Sequence, residues 1–195
     1  MANQQRNRHR RSTAQRTGQA TRHLALLPVI LPDEPDGEPA PYASDPEALP
    51  GCDPVTVAII DGQPFPRAAM ELLIGQTYDF EVVFSGRSVD EFDESGVEAE
   101  LVVLDLLAAP GRAALDAVRR LARTGRVLVI AQAELADVLI DAICVGAHGC
   151  ITRHEDEYVI LSALRAVAQE AIYFCAESSA YLHDWLAAAT STPRS

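Results

Sequence analysis

From residue 55 onward, short runs of apolar residues alternate with longer segments in which apolar residues recur at helical spacing. The runs are largely apolar at consecutive positions, which is typical of strands that have both faces covered. They predict five strands, at 55–60, 80–84, 101–104, 126–130 and 149–152. Each of these strands is followed by a segment that predicts a helix.

The predicted helices are marked by residues that commonly begin or end a helix. Prolines begin the first, Ser88 is expected to cap the second, and glycines close three of them. The helices are expected at 64–75, 88–95, 111–123, 134–145 and 155–172. Strands that alternate with helices in this way predict a doubly wound α/β domain around a parallel, five-stranded sheet.

Residues 1–53 depart from this pattern and are predicted to be a disordered extension. Its first part, 1–23, contains six Arg and no acidic residue, whereas 33–53 contains seven acidic residues and no basic one. Neither part can bury enough apolar surface to become ordered by itself. Between them lies the apolar segment LALLPVIL, 24–31. Two interpretations of it stay open: it packs loosely on the domain, or it is a short partner-binding motif.

The domain is predicted to span 54–174, and 175–195 is predicted to form an additional helix and a tail. Trp185 lies at helical spacing from Leu182 and close to Leu186, which makes an apolar stripe in that last segment. This stripe is expected to pack on the domain or on a second copy of the chain.

The charge of the chain narrows the classes of function. The net charge is −12, and the segment 54–195 has ten Arg against 21 acidic residues. Because an acidic surface repels phosphates, specific DNA binding by the folded domain is not expected. The Arg-rich tail leaves an alternative open, a nucleic-acid-associated regulator that binds through residues 1–23.

The apolar runs and the cysteines bear on where the protein resides. No apolar run approaches the length of a membrane span, so no membrane partner is expected. The cysteines, at 52, 144, 150 and 175, form no CxxC pair, which favours reduced thiols over disulfides or a metal site. These features together predict a cytoplasmic protein.

Two strands are followed by a carboxylate at the point where the apolar run stops. Asp61 comes directly after the first predicted strand, and Asp105 comes directly after the third. Open α/β sheets bind ligands at the carboxyl ends of their strands. A carboxylate buried there without a partner is costly, so these two residues predict a functional site.

Several stretches, in this order and spacing, resemble a known family. They are AIIDGQPFPRAAMELL, DFEVV, LVVLDLL, VGAHGCITR and ALRAVAQEAIYF. The segment from about 54 to 173 resembles response regulator receiver domains of two-component systems, in the branch that normally carries a LuxR-type helix-turn-helix. The resemblance implies a flavodoxin-like or CheY-like fold. It also implies a role in phosphorelay signal transduction and in the regulation of transcription.

The resemblance also assigns roles to residues. Asp105 stands at the position of the phospho-accepting aspartate, and Asp61 stands at the first position of the acidic pair that binds Mg²⁺. The main-chain carbonyl of Leu107 would be the third protein ligand of that metal. Gly62 replaces the second acid of the pair, so the implied Mg²⁺ site is weak.

Three further positions depart from the family pattern. Ala131 replaces the hydroxyl residue that contacts the phosphoryl group, Arg153 replaces the Lys, and Cys150 stands where an aromatic switch residue is often found. Arg153 is permanently charged and can bind a carboxylate through two nitrogens. It is therefore expected to pair with Asp105 or Asp61. The alternative is a decayed pocket in a fold that serves only as an interaction surface.

These inferences predict an atypical, stand-alone receiver-like signalling protein that works without conventional aspartyl phosphorylation. It is not expected to be an enzyme, beyond autocatalytic phosphoryl acceptance at Asp105. The alternative is a functional phosphorelay receiver that is phosphorylated on Asp105. A homodimer or a protein partner is expected to bind the helices at 134–145, 155–172 and 177–189. The expected contact residues are Tyr158, Leu161, Leu164, Leu182 and Trp185.

Overall fold

The computed structural model describes residues 29–30 (as backbone), 53–108, 112–132, 136–176 and 179. The strands are β1 Val29–Ile30, β2 Val55–Ile60, β3 Phe80–Gly86, β4 Leu101–Asp105, β5 Arg126–Ala131, β6 Gly149–Thr152 and β7 Ile172–Phe174. The helices are α1 Pro64–Gly75, α2 Val89–Ser95, α3 Arg112–Leu121, α4 Ala136–Cys144 and α5 Glu157–Ala168. A short 3₁₀ turn, Leu106–Ala108, follows β4.

The strands form one parallel sheet with the order β1-β7-β6-β5-β4-β2-β3. The doubly wound α/β fold predicted from the sequence is confirmed, and all five predicted strands are present in it. Two strands, β1 and β7, were not predicted. β1 lies within the extension that was expected to be disordered, and it pairs with β7 at one edge of the sheet.

The last helix is shorter than predicted, because the expected range 155–172 combines a helix with a strand. α5 ends at Ala168, and Glu170 adopts a left-handed backbone conformation with a φ of 60°. The chain then turns into β7, whose Ile172, Tyr173 and Phe174 favour an extended backbone. The end of the predicted helix, residues 169–172, was therefore wrong, and Ile172 belongs to a strand.

The helix starts follow from their capping residues. Ser88 caps α2 as predicted, because its hydroxyl accepts a hydrogen bond from the Glu91 N–H at 3.2 Å. Asp156 caps α5 in the same way and accepts from the Val159 N–H at 2.9 Å. α2 ends at Gly96, whose φ of 65° is a left-handed conformation that favours glycine.

Helices cover both faces of the sheet. Alternate residues of β4 point to opposite sides, so that Val102 and Leu104 join one apolar cluster while Leu101 and Val103 join the other. The first cluster includes residues of α2, α3 and α4, and the second includes residues of α1 and α5. This arrangement explains why the strands are apolar at consecutive positions.

The fold changes the predicted contact surface. Leu161 and Leu164, expected to contact a partner, face the second cluster and are 5% and 0% exposed, whereas Tyr158 is 65% exposed. Leu182 and Trp185, with the predicted helix at 177–189, lie outside the described residues. Most of the extension at 1–53 also lies outside them.

Two further sequence-based expectations concern membranes and cysteines. No helix in the described part of the chain is long and apolar enough to cross a membrane. Cys144, Cys150 and Cys175 are not joined in disulfides, and the last two are buried. Cys52 lies outside the described residues.

Candidate functional site

Two carboxylates meet at the carboxyl ends of neighbouring strands. Asp105 is the last residue of β4, and Asp61 follows β2 directly. β2 and β4 pair with Ile60 opposite Leu104, so the next residue on each strand is a carboxylate. Asp61 is 6% exposed and Asp105 is 1% exposed. Carboxylates this deeply buried require a compensating charge.

Arg153 supplies that charge. Its backbone N–H donates to the Ala131 carbonyl at 2.9 Å, which places the residue at the end of β6 beside the end of β5. Its guanidinium forms an ion pair with Asp105 through Nη2 and a second with Asp61 through Nη1, at 3.4 Å from Oδ2. The Arg153 side chain is 12% exposed. One buried cation therefore bridges both carboxylates.

The second oxygen of each carboxylate binds the loop that follows it. Asp61 Oδ1 accepts a hydrogen bond from the Gln63 N–H at 2.8 Å, and Asp105 Oδ1 accepts one from the Leu107 N–H at 2.9 Å. Asp side chains commonly bond backbone two residues ahead in turns. Each aspartate thus directs one oxygen to its own loop and the other to Arg153.

A second arginine, which the sequence interpretation missed, holds the main chain of this site. Arg67, in the first turns of α1, donates from Nη1 to the Asp61 carbonyl at 2.7 Å. The residue lies six positions after Asp61, within reach because α1 starts close to the end of β2. It fixes the backbone of the loop and leaves the Asp61 carboxylate for Arg153.

The positions of the switch residues contain neither a hydroxyl nor an aromatic ring. Ala131 is fully buried at the end of β5. Thr152, opposite it on β6, is also buried, but its hydroxyl donates to Glu155 at 2.8 Å. Cys150 is fully buried, its Sγ lies 3.7 Å from the Leu139 carbonyl, and burial raises the pKa of its thiol. Cys150 is therefore a neutral core residue.

Gly62 leaves room for a side chain. A Cβ built on it would lie 3.7 Å from the Arg87 carbonyl oxygen and 3.8 Å from the Ala108 Cα, which are ordinary van der Waals contacts. The residue is exposed, and its conformation does not require glycine. Steric crowding therefore does not explain the missing second acid.

The oxygens at this site do not fit a resident Mg²⁺ ion. Mg²⁺ prefers six oxygen ligands in near-octahedral geometry. Asp61 Oδ2 and Asp105 Oδ2, its natural ligands here, both face the Arg153 guanidinium, and Gly62 offers no side-chain oxygen. Within the described ranges, no group of three or more His, Cys, Asp or Glu residues could hold a metal ion.

Known proteins similar to this chain were found by sequence and by structure. No protein-family model matches it. Among curated proteins, the chain is similar to the nitrate/nitrite response regulator protein NarP of Escherichia coli, with 24% identity over 140 residues. The aligned part is 70% of this chain and 65% of that protein, so the chain covers just under two thirds of the length of NarP.

Solved structures with the same fold include three response regulators. ChrA of a heme-sensing two-component system has a TM-score of 0.57 at 22% identity, covering 74% of this chain and 69% of its own. RcsB of Salmonella typhimurium has a TM-score of 0.63 at 15% identity, and the match covers 73% of this chain and 72% of the RcsB chain. A LuxR-family response regulator from an Aurantimonas species has a TM-score of 0.60 at 19% identity, and the match covers 69% of this chain and 99% of that protein's chain.

These similarities agree with the geometry at the strand ends. The parallel sheet with helices on both faces and the aspartates at its strand ends belong to the domain whose fold these structures share. The resemblance predicted from the sequence is thereby confirmed: this chain contains a CheY-like domain with the fold of response regulator receivers, and the solved structures that share this fold include a LuxR-family response regulator.

Proposed function

We propose that this chain is an atypical receiver-like signalling protein that acts through protein–protein contacts and not through conventional phosphorylation of Asp105. The observation that supports the proposal is the position of Arg153. Its guanidinium pairs with Asp105 and Asp61, where the family resemblance implies a phosphoryl group and a metal.

The ion pair opposes phosphorylation of Asp105 in two ways. The attacking carboxylate oxygen, Oδ2, is already paired with a cation, and the charge-assisted contact must break before that oxygen can act as a nucleophile. In addition, an incoming phosphoryl donor is itself an anion. A divalent metal normally screens the repulsion between these two anions, but the oxygens here do not fit such a metal, because Gly62 offers no acidic ligand and both Oδ2 atoms face Arg153.

The opposing argument is that arginine is a good ligand for phosphate. Arg153 would then stabilise a phosphorylated Asp105 once that state had formed. We judge formation to be the harder step, because Ala131 also lacks the hydroxyl that would donate to the phosphoryl oxygens. The loss of one such donor typically costs about 3 kcal/mol at a developing oxyanion.

The experiment is treatment of the full chain with acetyl phosphate and Mg²⁺, followed by intact-mass measurement. The matched control is Asp105→Asn, which keeps the size of the side chain and removes the nucleophile. We expect no added phosphoryl mass in either protein within minutes. Substantial modification that depends on Asp105 would overturn the proposal and favour the alternative, a functional phosphorelay receiver.

Exposed apolar side chains support a contact surface for the proposed protein partner. Phe65 and Leu72 of α1 are 86% and 66% exposed, and Tyr78, just after α1, is 71% exposed. Residues seven apart lie on the same face of a helix, so Phe65 and Leu72 form one apolar stripe. Together with Tyr158 on α5, this stripe is the contact surface that we propose for a homodimer or a regulator of similar fold.

A further inference from the structure

A strand from the N-terminal extension covers one edge of the sheet. β1 pairs in parallel with β7, with Val29 opposite Ile172 and Ile30 opposite Tyr173. We propose that the outer edge of β7 is a strand-docking site, and that its occupant is the chain's own apolar segment, 24–31. This segment acts as a removable cover of an edge that would otherwise be open to other strands.

β7 contains neither a charged residue nor a proline, two residue types that commonly protect an exposed edge strand. Ile172, Tyr173, Phe174 and Cys175 are uncharged and between 0% and 3% exposed. Ile172 and Phe174 belong to one apolar cluster of the domain, and Tyr173 and Cys175 belong to the other. Natural sheets protect free edges with charges, prolines or bulges, or cover them with another element. The protection of β7 therefore rests on its short length and on the cover that β1 provides.

The backbone hydrogen bonds of β7 show which amides face the cover. The Tyr173 N–H donates to the His148 carbonyl at 3.0 Å, and the Cys175 N–H donates to the Cys150 carbonyl at 3.3 Å. Both bonds are directed towards the β6 side. Because successive N–H groups alternate in direction along a strand, those of Ile172 and Phe174 point to the side on which β1 lies.

The segment 24–31 has the composition that this role requires. All eight of its residues are nonpolar, whereas the Arg-rich 1–23 precedes it and the acidic 33–53 follows it. Pro28 has no N–H, so a regular ladder of hydrogen bonds cannot continue through it from Val29. The pairing of β1 is consequently short, which makes the cover removable.

The connection between β1 and β2 is long enough for the segment to dock on its own domain. These strands are five positions apart in the sheet, or about 24 Å at about 4.8 Å per step. The 24 residues 31–54 can reach up to about 80 Å when fully extended, well beyond this distance. A segment tethered within reach of its site docks intramolecularly, at an effective concentration above that of a second copy in dilute solution. The chain's own segment is therefore favoured over that of a second copy.

The proposal is tested by residue-resolved amide hydrogen exchange on the full chain. The variant Val29→Asp/Ile30→Asp places charges in β1, and the matched control Ala20→Asp/Thr21→Asp adds the same charge outside the segment. We expect exchange at the Ile172 and Phe174 amides to be at least tenfold faster in the first variant. The Tyr173 and Cys175 amides should keep their wild-type rates, and the control should match wild type throughout.

A synthetic peptide with the sequence LALLPVILP completes the test. Added to the Val29→Asp/Ile30→Asp variant, it should restore slow exchange at Ile172 and Phe174. If the amides of Ile172, Tyr173, Phe174 and Cys175 all exchange faster in the variant, recovery of Ile172 and Phe174 with peptide still supports the proposal. Equal exchange in wild type and variant, or no recovery with peptide, would overturn it. Protection that disappears when a wild-type dimer is diluted to monomer would also overturn it, because the occupant would then be a second copy's strand.

Discussion

Arg153 reaches across the end of β5 and pairs with Asp105, although the two residues stand at the ends of strands that are not neighbours. β5 separates β6, which precedes Arg153, from β4, which ends in Asp105. The residue at the end of β5 is Ala131, whose side chain is a single methyl group. The small side chain at position 131 thus leaves space for the long Arg153 side chain to pass the end of β5 and reach Asp105.

We predict that Arg153→Met destabilises the protein strongly. The substitution leaves Asp61 and Asp105 buried beside each other without a counter-charge. Removal of one partner from a buried ion pair typically costs about 3–5 kcal/mol. The free energy of unfolding, measured by urea denaturation at neutral pH, should fall by about this amount. Arg153→Lys should lower the free energy of unfolding by less, because lysine keeps the positive charge.

The control for this prediction is Arg165→Met. Arg165 also pairs with an aspartate, Asp79, at 2.7 Å, but both side chains are about half exposed. Surface pairs of this kind contribute about 1 kcal/mol or less. If Arg165→Met lowered the free energy of unfolding as much as Arg153→Met, burial would not be the reason that the Arg153 ion pairs stabilise the protein.

We predict that Asp105→Asn costs less stability than Arg153→Met. After this substitution Arg153 still faces Asp61, and the Asn oxygen can still accept from the Leu107 N–H. The decrease should stay below about 3 kcal/mol, the upper value for one hydrogen bond to a charged group. Equal urea midpoints for the two variants would contradict the bridging role that we assign to Arg153.

The fold was predictable from the sequence because apolar runs and helical spacing record which faces are buried. The five central strands and the cap at Ser88 are examples. β7 was missed because the sequence at 171–174 continues the apolar pattern of α5, and nothing local marks the turn at Glu170 except its conformation. β1 was missed because it is two residues long and is formed only by pairing with β7.

The site was predictable in its residues but not in its contacts. Asp61 and Asp105 follow apolar runs, and Arg153 follows another, so all three are visible as charges at strand ends. The sequence interpretation left open whether Arg153 pairs with Asp105 or Asp61, because that choice depends on the distance across β5. It also missed Arg67, because that residue contacts a main-chain carbonyl, and such a contact requires no particular residue type at its acceptor.

We predict that Tyr173 makes stability depend on pH in alkaline solution. Burial raises the pKa of its phenol to about 12, from an ordinary value near 10. The unfolded state then releases the phenolic proton first, so the contribution of Tyr173 to stability is fully present below pH 10 and is lost as the pH rises from about 10 to about 12. Tyr173→Phe should remove this part of the decline in the urea midpoint. An unchanged decline in that variant would assign it to other groups.

We predict that the full chain binds DNA only weakly and without sequence preference. The acidic domain repels phosphates, and the six Arg of residues 1–23 supply the attraction. In mobility-shift titrations on duplex DNA, the slope of log affinity against log salt should become shallower by about 0.9 for each phosphate that an arginine no longer neutralises. Replacing the six Arg with Gln should abolish binding, and tight, sequence-selective binding by residues 54–195 would contradict the prediction.

We predict that the combined variant Gly62→Asp/Ala131→Thr/Arg153→Lys accepts a phosphoryl group on Asp105. Asp at position 62 adds a second acidic metal ligand, and the backbone there has room for its Cβ. Thr at position 131 adds a donor to the phosphoryl oxygens, and Lys at position 153 replaces the forked guanidinium with a compact ammonium. Intact mass after acetyl phosphate and Mg²⁺ should show one added phosphoryl group.

The controls separate a restored site from a damaged one. Asp105→Asn in the combined variant should abolish the added mass, and Arg153→Lys alone should give little, because position 62 still lacks an acid. Far-ultraviolet circular dichroism and the urea midpoint report whether the combined variant is folded. A folded variant that stays unmodified would show that these three positions are not what prevents phosphorylation. In that case the loop from Leu106 to Ala108, which carries the Leu107 carbonyl, becomes the next segment to change.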